Sequence, residues 1–108
     1  MAESFKLRHY SITTVDTTLY TCPAGANSIV FMAQVANKSI ADSTAVTFTT
    51  TKSGGGSSKF LIKDVTVPPK VATSVLTGKL VLEAGDSISA NTSANNLLDV
   101  TFSILEIT

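Results

Sequence analysis

The sequence contains no tryptophan, one cysteine and one histidine among its 108 residues. With Cys22 as the only cysteine, neither an intrachain disulfide nor a cluster of thiolate ligands can form. Charged residues make up 15% of the chain, and eight basic side chains are balanced by eight acidic ones. A protein that binds nucleic acid needs an excess of Lys and Arg to displace counterions. The composition therefore excludes a disulfide scaffold and predicts no nucleic-acid partner.

Long apolar runs are also missing. No stretch approaches the roughly 20 apolar residues that a membrane-spanning helix requires. The first residues, MAESFKLRHYS, carry charges with no apolar segment behind them, so we expect no signal peptide, no membrane partner and synthesis in the cytoplasm. The length is that of one small globular unit, which predicts a single domain over residues 1–108.

What the sequence does have is β-forming residues. Val, Ile and Thr occupy 33 positions, and Ser and Thr together occupy 29. Turn-forming clusters divide the chain into runs of five to eleven residues, at Pro23–Gly25, Asn37–Ser39, Gly54–Gly56, Pro68–Pro69, Ala84–Asp86 and Ser93–Asn96. Short runs at this spacing predict an all-β fold, an antiparallel β-sandwich of jelly-roll or Ig-like type. We expect about eight strands and almost no helix.

Several runs alternate between apolar and polar residues, as strands do when one face lies on a core. In the last run the apolar positions are Leu98, Val100, Phe102 and Ile104. Val46 and Phe48 alternate in the same way with a series of threonines. All five phenylalanines lie at apolar positions, which predicts them to be core residues: Phe5, Phe31, Phe48, Phe60 and Phe102.

Other strands lack a clean polar face. An apolar residue opposite the core positions of its strand is expected either to contact another subunit or to return to the core through a β-bulge. For Leu105 and Ile107 the two alternatives are a bulge near Ile104 or an apolar patch on the outer surface. The candidate interface residues chosen in this way are Val30, Met32, Leu61, Leu105 and Ile107.

A glycine-rich segment lies between two predicted strands and indicates a hairpin with a mobile tip. Its candidate contact residues are Gly54, Gly55, Gly56, Ser57 and Ser58. The segment differs from a phosphate-binding loop, because Lys59 is followed by a β run where that loop requires a helix. A flexible tip is the simpler interpretation, and its functional alternative is a loop that becomes ordered when it contacts a partner.

Candidate catalytic and metal-binding residues are few. His9 lies in an alternating run and is predicted to be a strand-surface residue. The sequence predicts no helix, histidine or cation beside Cys22 that would make it a reactive thiolate, so a buried, inert thiol is expected. Glu83 and Asp86 could form a weak cation site, but a role for Asp86 in capping the turn explains it more simply. The sequence therefore predicts no enzyme activity, no metal and no cofactor.

Two parts of the chain resemble small all-β virion proteins of tailed bacteriophages. The first is LYTCPAG at residues 19–25 followed by IVFMAQVAN at residues 29–37. The second is KLVLEAGDSI at residues 79–88 with the closing run LDVTFSILE at residues 98–106. The resemblance implies a non-enzymatic structural subunit, present in many copies on a head, neck or tail. Its implied roles are capsid decoration or cement, or a neck or tail-associated protein.

The same resemblance implies the location and the partners. We expect the chain in the virion, as a homo-oligomer that contacts other virion proteins and copies of itself. Pro23, Gly25 and Gly85 correspond to turn positions of the pattern and are expected to specify the fold, with the two glycines at positive φ. Cys22 departs from the pattern, and its thiol could pair between subunits.

A second hypothesis is a small carbohydrate- or receptor-binding β-sandwich at a fibre or tail tip. Such a module would use loop asparagines, namely Asn27, Asn37, Asn91, Asn95 and Asn96, together with Tyr10 or Tyr20 as half-exposed rings. The lack of tryptophan and the low aromatic content disfavour this hypothesis, because sugar sites rely on exposed stacking rings.

Overall fold

The computed structural model describes residues 2–54, 58–94 and 97–108. Over these residues it has nine strands and no helix, and so no helix that could cross a membrane. The strands are β1 Glu3–Ile12, β2 Thr17–Thr21, β3 Asn27–Asn37, β4 Thr44–Thr51, β5 Lys59–Val67, β6 Ala72–Ser74, β7 Leu80–Leu82, β8 Ser87–Thr92 and β9 Leu98–Ile107.

The strands pair as a nested set. β4 pairs with β5, β3 with β6 and β7, β2 with β8, and β1 with β9, all antiparallel. This long folded hairpin then rolls up, so that β9 also pairs with β3 and β8 with β4. Sheet I has the order β1-β9-β3-β6, with β7 also paired to β3, and sheet II has the order β2-β8-β4-β5.

This arrangement is a jelly roll, in which β6 and β7 together fill one of eight strand positions. The predicted all-β antiparallel sandwich is confirmed, and of the two types considered the jelly roll is correct. The near absence of helix is explained by the β-branched content, since such side chains pack well on a pleated sheet.

The core lies between the two sheets. The alternating residues of β9 from Leu98 to Ile104 are buried, as are Val46 and Phe48 of β4. The Phe48 and Phe102 rings meet edge to face with centroids 6.4 Å apart, which joins the sheets at the centre of the sandwich. The predicted core positions of these two strands are confirmed.

Three phenylalanines predicted to be core residues are exposed instead. Phe5, Phe31 and Phe60 keep 77%, 39% and 59% of their surface accessible. Phe5 and Phe60 lie on edge strands, and each shares a register position with an outward-facing neighbour. Apolar character alone therefore does not show which face of an edge strand is buried.

A β-bulge in β3 explains the placement of Val30. Between Val30 and Met32 the strand advances two residues while its partner advances only one, from Ile104 to Ser103. The extra residue, Phe31, reverses the facing of everything before it. Val30 is therefore completely buried in the core, on the same side as Ala33.

Two turns of similar sequence lie side by side at one end of the sandwich. In each, the fourth residue donates its N–H to the carbonyl of the first, Ala26 to Pro23 and Asp86 to Glu83. The third residues, Gly25 and Gly85, have φ of 77° and 85°, as predicted for them. The turns are joined by two backbone hydrogen bonds through Cys22, which accepts from Gly85 at 2.9 Å and donates to the Asp86 carbonyl at 2.8 Å.

A polar link crosses the core near these turns. The Tyr20 hydroxyl of sheet II donates to the Glu106 carboxylate of sheet I and also contacts Ser28 Oγ at 2.8 Å. Burial and then the bond to Glu106 raise the pKa of the Tyr20 phenol well above its ordinary value. Tyr20 is buried and not half-exposed, because the pairing of β2 with β8 shifts by one residue between Thr18 and Tyr20.

The predicted hairpin is formed by β4 and β5. At its base Thr51 and Ser58 share a hydrogen bond between hydroxyls 2.7 Å apart. Of the predicted contact loop, Gly54 and Ser58 are described, both exposed and Gly54 with φ of 89°, while residues 55–57 lie outside the described residues. The contact role of this loop stays a prediction.

Candidate protein-interaction surface

Four apolar residues form a row across the outer side of sheet I. Phe5 of β1 pairs in register with Leu105 of β9, Leu105 with Ile29 of β3, and Ile29 with Val81 of β7. The core residues of β9 and β3 lie directly next to Leu105 and Ile29 along these strands. Because successive side chains of a strand point to opposite faces, all four side chains of the row point away from the core. Strand spacing of about 4.8 Å makes the row about 14 Å long.

Aromatic rings extend the row on one side. The rings of Phe5 and Phe31 stack with centroids 6.5 Å apart, and Lys79 Nζ lies 5.8 Å from the Phe31 centroid. The bulge in β3 places Phe31 here, since the inserted residue turns outward. Leu7 and Met32 lie beside the rings, both at the register position of Ser103.

We call this outer surface of sheet I the apolar face. Its members share an outward register position on adjacent strands, and they are Phe5, Leu7, Ile29, Phe31, Met32, Val81, Leu105 and Ile107. Phe5, Leu7, Phe31 and Val81 are exposed, while Leu105 is covered by its neighbours in the row. Contiguous apolar surface of this extent on a small protein typically marks an interaction site.

The edge strand β1 is oriented against the usual pattern. Its apolar residues Phe5 and Leu7 face outward, whereas the half-buried Lys6 and Arg8 occupy the register positions of the core residues Ile104 and Phe102. Charges that point inward on an edge strand oppose uncontrolled strand pairing at that edge. The inward-facing charges of β1 thus oppose strand pairing at this edge, while its apolar side chains are exposed on the outer face.

Sheet II has a different outer surface. The equivalent row runs from Thr18 through Ser89 to Thr49 and ends at Phe60 on β5. The Thr18 and Ser89 hydroxyls are hydrogen-bonded at 3.2 Å. The two outer faces therefore differ in chemistry, since a hydroxyl row covers one sheet and an apolar row the other.

An open groove of about 600 Å³ adjoins the apolar face beside β7. It shares Ile29, Val81 and Ile107 with the face and is also lined by Lys52 and Glu83. The apolar surface thus continues toward the end of the molecule that carries the two turns.

The structure brings three of the five predicted interface residues together. Met32, Leu105 and Ile107 belong to the apolar face, so the outer-surface alternative describes Leu105 and Ile107. Val30 lies in the core instead, and Leu61 is half-buried against the core from sheet II. Sequence reasoning missed Phe5, Leu7, Ile29, Phe31 and Val81. The alternation of Phe5 and Leu7 with Lys6 and Arg8 shows that the two apolar residues share one face, but not that this face points outward.

Glu83 and Asp86 surround a lysine rather than an empty site. Lys52 Nζ lies 2.6 Å from Glu83 Oε1 and 3.0 Å from Asp86 Oδ2. Asp86 also accepts from the backbone N–H groups of Ser53 and Glu83, both at 2.9 Å. The Ser53 bond and then Lys52 lower the pKa of Asp86. Over the described residues no three His, Cys, Asp or Glu side chains are grouped to hold a metal ion.

The remaining reactive groups are placed as follows. His9 is exposed on β1, as expected for a strand-surface residue. Nearby, Ser11 Oγ donates directly to Asp99 Oδ1 at 2.8 Å, which differs from a catalytic triad because there the histidine bridges hydroxyl and carboxylate. Burial raises the pKa of Asp99, but the bonds from Ser11 and Lys38 outweigh burial and the pKa is lowered.

Cys22 is buried, with 1% of its surface accessible, as expected. Its sulfur accepts from Ser28 Oγ at 3.1 Å and lies 3.4 Å from the Ala26 carbonyl oxygen. Pairing of this thiol with a second subunit would require the end of the sandwich to open. The structure therefore contradicts the idea of an accessible intersubunit thiol.

Asn37 is not available to a sugar. It is buried, its amide nitrogen donates to the carbonyls of Asp42 and Val67 at 2.9 and 3.0 Å, and its side-chain oxygen accepts from the Ser39 N–H. Asn37 is a structural residue of the β3–β4 connection, and residues 95 and 96 lie outside the described residues.

The chain is similar in fold to proteins of two large assemblies. A chain of the T13 viral particle of infectious bursal disease virus superposes with a TM-score of 0.60 at 10% identity, covering 96% of this chain. This chain spans 30% of the length of that protein. A Bacillus endospore appendage protein, of a family of disulfide-linked pili, superposes with a TM-score of 0.52 at 9% identity, covering 97% of this chain and 84% of its own length.

A pentameric capsid protein from metagenomic phage sequences has a TM-score of 0.47 at 17% identity, covering 91% of this chain and 59% of its own length. No protein-family model and no curated protein sequence matches the chain. At these identities the superpositions with TM-scores of 0.60 and 0.52 show similarity of fold alone.

Proposed function

We propose that the chain is a non-enzymatic structural subunit of a virion, which stabilises the assembly through repeated protein–protein contacts. The observation that carries this proposal is the apolar face, a contiguous row of apolar side chains that spans four strands of sheet I. Exposed apolar surface of this kind is stabilised when a protein partner covers it.

The fold similarities support the proposal. The protein with the highest of the TM-scores given above is part of a viral particle, and the second forms pili. The viral particle and the pili are both assemblies of repeated subunits that contain this fold. A fold alone does not specify a function. The proposal therefore depends on the combination of the jelly roll with an apolar outer face.

The resemblance in sequence to small virion proteins of tailed bacteriophages supports a finer assignment. We propose a role in capsid decoration or cement, or at the neck or tail, with other virion proteins and copies of the chain as partners. The low charge fits such a role, because few charged groups have to be desolvated when surfaces meet.

The chemistry of the described residues also fits a structural role. The carboxylates of Glu83 and Asp86 are engaged by Lys52, and Ser11 bonds directly to Asp99. These arrangements hold turns and strands in place. The proposed subunit accordingly acts through its surfaces.

The test uses virus particles purified from the source of the sequence, with the chain quantified by mass spectrometry. We expect many copies per particle. Val81→Asp places a charge in the apolar face and should lower the copy number strongly, because a buried unpaired charge is costly. Val15→Asp is the matched control, since Val15 is exposed to a similar extent, 68% against 61%, but lies in the loop after β1.

Absence of the chain from particles would refute the proposal. An equal loss of copy number with both variants would show that the apolar face is not the contact surface, since the loss would then follow from the added charge and not from its position. Monomeric chain at the tip of a fibre, together with glycan binding, would favour a carbohydrate-binding module instead.

A further inference from the structure

We propose that the apolar face packs against the same face of a second copy of the chain, across a two-fold axis that lies in the plane of the face. This inference rests on the proposed function and names the partner of its interaction surface. It follows from how two charged residues are placed around the apolar row.

The face has one acidic and one basic residue at opposite corners. Glu3 lies two residues before Phe5 on β1, at the register position of Ile107, and shares the outward facing of Phe5. Lys79 lies two residues before Val81, and its position over the Phe31 ring places it on the outer side. Because β1 and β7 are antiparallel, the two residues lie on opposite sides of the row and on opposite edges of the sheet.

This diagonal arrangement is complementary to itself. A two-fold axis that runs along the other diagonal of the face exchanges the corners, so Lys79 of each copy meets Glu3 of the other. The same axis turns the strands of one copy roughly perpendicular to those of the other, which is one of the two common ways for sheets to pack. An axis along the strands, in contrast, would bring Glu3 to the corner that holds the Lys52–Glu83 pair and Lys79 to the uncharged corner of Leu7, so it would not pair the two residues with each other.

The size of the face predicts how strong the contact is. It spans about 14 Å across the strands and about 14 Å along them, from Glu3 to Leu7. Even with its rim this is well below the roughly 800 Å² per partner of a typical stable complex. We therefore expect a weak dimer in isolation, with a dissociation constant in the micromolar range or above. In an assembly, other contacts would reinforce it.

The test is a charge exchange, measured by sedimentation velocity over a concentration series that extends to millimolar protein. Lys79→Glu and Glu3→Lys each put like charges together twice and should weaken dimerisation about tenfold or more. The double variant should recover the original affinity. An equimolar mixture of the two single variants should form a heterodimer, because both corner contacts then join an acidic residue of one chain to a basic residue of the other.

Oppositely charged proteins also attract without specific contacts, so a matched pair is needed. Lys59→Glu and Asp16→Lys give the same net charges at exposed positions away from the face. Each control variant keeps Glu3, Lys79 and the apolar face, so each should dimerise on its own with wild-type affinity, and mixing the two should change dimerisation little. Lys79→Glu and Glu3→Lys, in contrast, should dimerise poorly alone and more tightly when mixed, and this specific heterodimer should weaken as salt screens the pairs. Thermal unfolding of each variant checks that all of them are folded.

An equal gain in dimerisation on mixing for the face pair and the control pair would overturn the two-fold arrangement. So would a fully monomeric wild-type chain at millimolar concentration. Neither result affects the particle measurement with Val81→Asp, so the apolar face could still bind a different virion protein. Failure of that measurement, in contrast, removes the proposed function itself.

Discussion

Phe5 and Phe60 allow the contributions to stability and to association to be separated. Both are exposed phenylalanines on edge strands, Phe5 on the apolar face and Phe60 on sheet II. Phe5 is 77% exposed, so truncation to alanine removes little that the folded monomer has buried. Phe60 is 59% exposed and has Lys63 Nζ 5.1 Å from its ring centroid, so it has more contact to lose.

The expected magnitudes follow from the areas. A buried phenylalanine covers about 200 Å², and each Å² contributes about 25 cal/mol. The covered quarter of Phe5 is then worth about 1 kcal/mol, and its stacking on Phe31 adds about 0.5 kcal/mol. The covered part of Phe60 is worth about 2 kcal/mol. Phe60→Ala should therefore destabilise the monomer slightly more than Phe5→Ala.

The order reverses for association. The exposed part of Phe5 is about 150 Å², which gives an upper limit of about 4 kcal/mol per ring on burial. Ordering and imperfect packing reduce this to about 1–3 kcal/mol, roughly a five- to 150-fold loss of affinity. Phe60→Ala should leave association unchanged.

The assays are denaturant unfolding for stability, and sedimentation together with copy number per particle for association. The diagnostic result is that Phe60→Ala lowers stability more, whereas Phe5→Ala alone lowers association. If Phe5→Ala costs clearly more stability than Phe60→Ala and leaves association intact, the Phe5 ring is a packing element of the fold and not part of an interaction surface.

Two further predictions concern the paired turns. Gly85→Ala should destabilise more than Gly25→Ala: both cost about 1–2 kcal/mol for positive φ, but an added Cβ at Gly85 would lie 2.6 Å from Ser53 Oγ, whereas nothing lies within 4 Å at Gly25. Equal melting temperatures would contradict this. For Asp86, a lowered pKa means that its contribution is present above the ordinary value of 3.8 and is lost as pH falls through the folded-state value. The difference in melting temperature between wild type and Asp86→Asn should shrink on acidification, and a constant difference would refute the role of the ionised carboxylate.

Alternation predicted the strands whose registers are regular. β9 from Leu98 to Ile104 pairs without interruption, so the period of two in its sequence maps directly onto inside and outside. Val46 and Phe48 of β4 likewise pair in unbroken register with β8 and are buried. Turn residues such as Gly25 and Gly85 were predictable because only glycine adopts positive φ at no steric cost.

The candidate surface was harder to predict, because a single residue inserted in a strand changes the face of the sheet to which every side chain beyond it points. Alternation counted from Val35 places Val30 outside, and the bulge at Phe31 puts it inside. Nothing in the local sequence marks that bulge, because it depends on how β3 meets β9. Likewise, Phe5 is apolar in a strand, and only the pairing with Leu105 shows which way it points.

The nested pairing has a consequence for how the chain folds during synthesis. The innermost pair, β4 with β5, closes a short loop and can form early. The outermost pair joins Glu3 to Ile107, so β1 cannot pair until β9 has been translated. Such distant contacts slow folding and leave unpaired strands open to aggregation. The inward-facing Lys6 and Arg8 would then protect the waiting strand on the ribosome as well as the finished edge.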